Sequence, residues 1–141
     1  MEKTIIHIET IVHAPVQKVW ELYNSEEAIT KWNQASPNWF CPSAYVDLRV
    51  GGRFKSRMEA KDGSFGFDFE GEFTEVVPYD KISYRLDDDR NVKIKFAPHD
   101  NHTHMFIEFE AESMNPVEMQ QAGWHAILNS FKNYTENNNE R

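Results

Sequence analysis

Alternating apolar and polar positions dominate the middle of the chain, and helical spacings flank them. Residues 3 to 13 place Ile6, Ile8 and Val12 on one parity and His7, Glu9 and His13 on the other, the period of a half-buried strand. Pro15 then suits a first helical position, with Val16, Val19, Trp20 and Tyr23 following at spacings of three and four. Ser25 is placed to cap a second short helix, with Glu26 and Glu27 on its first turn and Ile29 and Trp32 facing inward. The segment Asn33 to Pro42 reads as loop.

From there to Ala111 the pattern is strands, and the turns set their register. Asp62-Gly63 is a two-residue hairpin signal. Centring a hairpin on it sets Arg53 opposite Glu72, Lys55 opposite Glu70 and Arg57 opposite Asp68. The other face then carries Phe54, Met58, Phe65, Phe67 and Phe69 and is expected to be buried; a slip by one residue would scramble both faces. A second hairpin centred on Asp100-Asn101 joins Val92, Ile94 and Phe96 to Phe109, Ile107 and Met105, with Lys93 meeting Glu108 outside. Ile82, Tyr84 and Leu86 continue the apolar face, and Gly51-Gly52 and Pro78-Tyr79-Asp80 mark further turns. The chain closes with a long helix: Asn115 as cap, Pro116 first, Glu118 third, then a stripe of Val117, Trp124, Ile127, Leu128, Phe131 and Tyr134. A sheet with one charged and one aromatic face has to bury the aromatic one, and the last helix is the long apolar partner available, so the class is α+β.

With 141 residues the chain is the size of one domain, expected over 1–136, with a frayed polar tail at 137–141. Hydrophobic residues make up 40% and charged residues 27%, which excludes a disordered or fibrous chain. The net charge of −8, with no basic cluster, argues against a nucleic-acid partner. A single cysteine, Cys41, no basic-then-apolar N-terminal segment and no run of 18 apolar residues lead to the expectation of a cytoplasmic protein without a membrane span.

The motifs Ala14-Pro15-Val16-x-x-Val19-Trp20, Lys31-Trp32, Asp47-Leu48-Arg49-x-Gly51-Gly52 and Gly123-Trp124-x-x-Ile127-Leu128-x-x-Phe131 resemble the START-like superfamily, also called SRPBCC. The resemblance covers essentially the whole chain. It is nearest to the branch named for the C-terminal domain of activators of the ninety-kilodalton heat-shock chaperone's ATPase. It implies a helix-grip (START/Bet v 1-like) fold: a curved antiparallel sheet of six or seven strands around the C-terminal helix, two short helices after the first strand, and a ligand cavity between sheet and helix. The chaperone activators carry a further N-terminal domain, so a chaperone partner does not transfer with the name.

Signatures of phosphate-cradling loops, nucleophile elbows, paired-cysteine metal sites and zinc proteases are absent, so no catalytic residue, metal site or cofactor is assigned. His102 and His104 stand beside a hairpin tip without a third ligand and read as exposed, while Cys41 reads as a buried thiol. His125 lines the cavity or faces solvent; helical spacing favours neither. Asp47 and Arg49 share a parity and read as a mutual pair. Glu75 continues the Phe face as a carboxylate in an apolar pocket, unless a bulge near Thr74 turns Val76 inward, which the later valines favour. Gln120 and Gln121 straddle the helix face, and Gln121 is taken as the cavity's amide. The ligand-binding set is then Trp32, Trp39, Phe54, Met58, Phe67, Phe69, Tyr84, Ile94, Met105, Gln121, Trp124 and Leu128. An enclosed space of at least about 300 Å³ is expected among them. Three functions follow: a non-catalytic binder of a small apolar, aromatic or lipid-like molecule; a protein-interaction module of the chaperone-activator type; and a cyclase- or hydrolase-like enzyme using the same cavity.

Overall fold

The first strand of the chain pairs with the last, which sets the ends of the sheet and the place of the closing helix. The computed structural model describes residues 4–137. In order these form β1 (Ile5–Val12), α1 (Val16–Asn24), α2 (Glu26–Trp32), β2 (Trp39–Val46), β3 (Arg53–Ala60), β4 (Gly66–Val77), β5 (Lys81–Leu86), β6 (Asn91–His99), β7 (His102–Glu110) and α3 (Val117–Asn137). The seven strands form one antiparallel sheet in the order β1-β7-β6-β5-β4-β3-β2, curled into a half-barrel around α3. The helix packs chiefly along β1, and α2 packs on β2 at the other edge.

Both hairpin registers are as the charge pattern requires. Arg53, Lys55 and Arg57 face Glu72, Glu70 and Asp68, and Val92, Ile94 and Phe96 face Phe109, Ile107 and Met105. Twist makes some of the close ion pairs diagonal: Arg53 reaches Glu70 at 3.8 Å and Lys55 reaches Asp68 at 3.8 Å. The β4–β5 ladder shifts register between Phe73 and Glu75, so the bulge at Thr74 is present. Beyond it Val76 packs against the core, while Glu75 accepts from Ser83 Oγ at 3.3 Å and pairs with Lys81 at 3.2 Å. Ser25 Oγ accepts from the Ala28 N–H at 3.1 Å, as a cap for α2 should.

Five local expectations need correction. Pro15 is the extended residue before α1, with φ −68° and ψ 155°, and the helix starts at Val16. The segment 33–42 is not all loop, because β2 starts at Trp39. It is an edge strand with an irregularity between Phe40 and Ser43, where Pro42's missing N–H is tolerated. The start of α3 is held by the Glu112 carboxylate, which accepts from the N–H groups of Met114 and Asn115, and by the Gln120 amide, which donates to the carbonyls of Glu112 and Asn115. Val117, expected on the inward stripe, is exposed. Phe65 and Phe67 share the concave face with Phe69, yet they are 61% and 41% exposed because their end of the β3–β4 hairpin lies beyond the covering helices. Of the tail expected at 137–141, Asn137 is the last residue of α3 and the rest lies outside the described residues.

Candidate functional site

Because α3 leans to β1 and α2 to β2, the concave face of β3 to β5 between them is incompletely covered. A cavity of about 220 Å³ lies there, smaller than the expected ~300 Å³. Its floor is Phe54, Met58, Phe69 and Tyr84, with Ile94 deeper in; Trp124 and Leu128 supply the α3 wall, Trp32 the α2 wall, and Phe67 the rim. Three residues of the expected set lie elsewhere. Trp39 is on β2 outside the cavity, against Phe65 and Phe67 with ring centroids 6.1 and 6.0 Å apart. Met105 is fully buried under the sheet's own packing. Gln121 is exposed, and its amide donates to the His7 carbonyl at 3.0 Å, tying α3 to β1. Its neighbour Gln120 is engaged at the helix start.

Residues absent from that set also line the space: Tyr23 and Ile29 from the short helices, Phe73 and Ile82 from the sheet, Ile127 from α3, and the polar Asn24, Asn33 and Ser56. Tyr23, Ile29 and Ile127 all lie on inward helical stripes, so the stripes themselves were the usable signal. Ring packing fixes the walls. Trp124 stacks on Phe109 at 3.9 Å and meets Phe69 edge-on at 5.9 Å. Tyr23 stacks on Trp32 at 5.1 Å, and Tyr84 meets Phe54 at 4.6 Å.

Among the described residues, the lining has no carboxylate, histidine, lysine or arginine. Its titratable groups are two phenols. Burial drives the Tyr23 hydroxyl far above the usual tyrosine range. Burial does the same to Tyr84, with the Tyr23 charge adding to it and Arg90 opposing. The Ser56 hydroxyl is engaged with Cys41, whose buried thiol is pushed up by desolvation against the hydrogen bonds of Ser43 and Ser56. The remaining candidates lie outside. Asp47 and Arg49 pair with each other at 3.0 Å, His125 is exposed, and His104 bonds Glu9 at 2.7 Å. Among the described residues no cluster of three or more His, Cys, Asp or Glu could hold a metal, and no helix is long and apolar enough to cross a membrane.

The sequence profile of the family described as "Activator of Hsp90 ATPase homolog 1-like protein" matches residues 13–136. The chain belongs to this family. Solved structures similar to it include an AHSA1-like protein from Aeromonas hydrophila, 39% identical, covering 98% of this chain and 99% of that one, with a TM-score of 0.88. A protein from Cytophaga hutchinsonii is 48% identical over 94% of this chain and 92% of its own, with a TM-score of 0.81. One from Chromobacterium violaceum is 26% identical over 94% and 96%, with a TM-score of 0.83. No curated protein matches. Membership of the AHSA1-like family agrees with the resemblance carried by the Ala14-Pro15 and Gly123-Trp124 motifs, and the half-barrel with its long closing helix is the fold those relatives share.

Proposed function

We propose that this AHSA1-like domain binds a small apolar molecule in the space between β3–β5 and α3, without catalysis. One observation supports the reading: rings and aliphatic side chains line an uncharged space of about 220 Å³ in an otherwise close-packed core. An apolar cavity of about 150 Å³ stays dry and takes benzene, so this one suits a ring with a short substituent. Fluorobenzene followed by fluorine NMR is the test. It should bind saturably, and Leu128→Trp, which fills the space, should abolish binding while the protein stays folded. Absence of binding to the parent, together with a loss of about 1–3 kcal/mol in Leu128→Trp from overpacking, would reject the proposal.

A second reading is favoured by a different surface. Trp39, Phe65 and Phe67 form an apolar cluster at the rim, with Phe65 61% exposed, and the family description names a chaperone ATPase. In that reading the cluster contacts the ninety-kilodalton chaperone. Phe65→Ser should then weaken chaperone binding without lowering the melting temperature; an equal effect of the parent and the variant on the chaperone's ATPase would exclude it.

A further inference from the structure

The cavity contains two hydroxyls that the protein itself leaves unused. Tyr84 rises from the sheet and Tyr23 descends from α1, both at the cavity surface. Among the described residues neither hydroxyl has a hydrogen-bond partner. Among the described residues the one side-chain polar atom both sealed and unpartnered is Thr135 Oγ1, elsewhere on α3, so the phenol oxygens keep access to the cavity. Buried hydroxyls are ordinarily paired, and two unpaired donors lining one apolar space are unusual. The neighbouring polar groups do not supply the missing partner. Ser56 is engaged with Cys41, and the Asn24 amide donates to the Trp20 carbonyl at 2.9 Å.

A carbonyl oxygen has two lone pairs and no hydrogen, so it satisfies two O–H donors at once. A charged group would be left unpaired among these walls. The volume admits about one ring with a short substituent. Building on the ligand-cavity reading above, we propose that the site selects an uncharged single-ring compound bearing a carbonyl group, with Tyr23 and Tyr84 both donating to that oxygen. Apolar shape then gives uptake and the phenol pair gives choice.

Three probes of nearly one shape separate these contributions: acetophenone, its isostere α-methylstyrene with CH₂ in place of oxygen, and benzoate at pH 7. Their binding is read by the fluorescence of Trp32 and Trp124 and by amide shifts. Acetophenone should bind about tenfold more tightly than α-methylstyrene, with benzoate weakest. Tyr84→Phe and Tyr23→Phe should each lower acetophenone affinity about three- to tenfold and leave α-methylstyrene unchanged. Without ligand both variants should melt at or above the parent temperature, since the lost hydroxyl had no partner. A lower melting point would show a protein partner for that hydroxyl and overturn the assignment. Equal binding of the two isosteres, or a preference that survives in the double variant, would also overturn it while leaving the cavity reading standing. Failure of both isosteres to bind would remove the cavity reading, and this inference with it.

Discussion

Glu136 offers a direct test of how α3 is fastened to the sheet. Its Oε2 lies 2.6 Å from Lys132 Nζ and accepts from the His13 backbone N–H at 2.8 Å, with His13 Nδ1 also at 2.8 Å. Partial desolvation pushes this carboxyl up, but the Lys132 and His13 contacts outweigh it and bring the pKa from 4.5 down to about 2. At about 1.4 kcal/mol per pH unit the ceiling is about 3 kcal/mol, and solvent screening of a partly exposed group brings it to roughly 1–2 kcal/mol. The pKa is lower in the folded state, so the stabilisation is present above pH 4.5 and is lost as pH falls from there toward 2. Glu136→Gln should therefore lower the melting temperature by about 3–6 °C at pH 7. The gap to the parent should close by pH 2. Calorimetry on both proteins across that range is the assay, and a gap that stays constant with pH would refute the ionic account.

Thr135 Oγ1 is buried without a partner, so Thr135→Val should raise stability by about 1 kcal/mol in denaturant melts; a loss would reveal a bond to the hydroxyl. The double variant Gln121→Leu with Lys132→Met removes two ties from α3 to β1 carbonyls, and fluorobenzene affinity should fall several-fold as the helix settles over β3–β5. Unchanged affinity would show that the ties do not hold the cavity open.

Legibility followed the strength of local constraint. The β3–β4 register was readable because three charge pairs and a row of phenylalanines have to flip together, and the Thr74 bulge because Val76 and Glu75 have opposite demands on water. Parity tells which face a residue occupies and says nothing about what covers it, which is why Phe65 and Phe67 came out exposed. The same gap misplaced Gln121 and omitted Tyr23, since the phase of a helix against a curved sheet depends on contacts far apart in sequence. The first residues of edge strand β2, Trp39 to Pro42, read as loop because Cys41-Pro42 breaks the alternation, and an edge position makes the proline harmless.

The cavity follows from how the chain treats the open edge at β1. An edge strand turns alternate backbone groups outward without partners. On β1 and just beyond it these include the His7 and Ile11 carbonyls and the His13 N–H, all on one parity. They are met in order by Gln121 at 3.0 Å, Lys132 at 2.7 Å and Glu136 at 2.8 Å. From Gln121 to Lys132 the helix rises about 16 Å, and from His7 to Ile11 the strand advances about 13 Å, so long side chains bridge the two with little strain. A helix fixed along one edge of a half-barrel presses less on its centre, and Trp124 adds to the bias by stacking on Phe109 of β7 while meeting the floor edge-on at Phe69. The polar ties that close the sheet edge thus favour an open apolar centre. Their residue types, a glutamine, a lysine and a glutamate on one helix flank, would ordinarily be read as a solvated face.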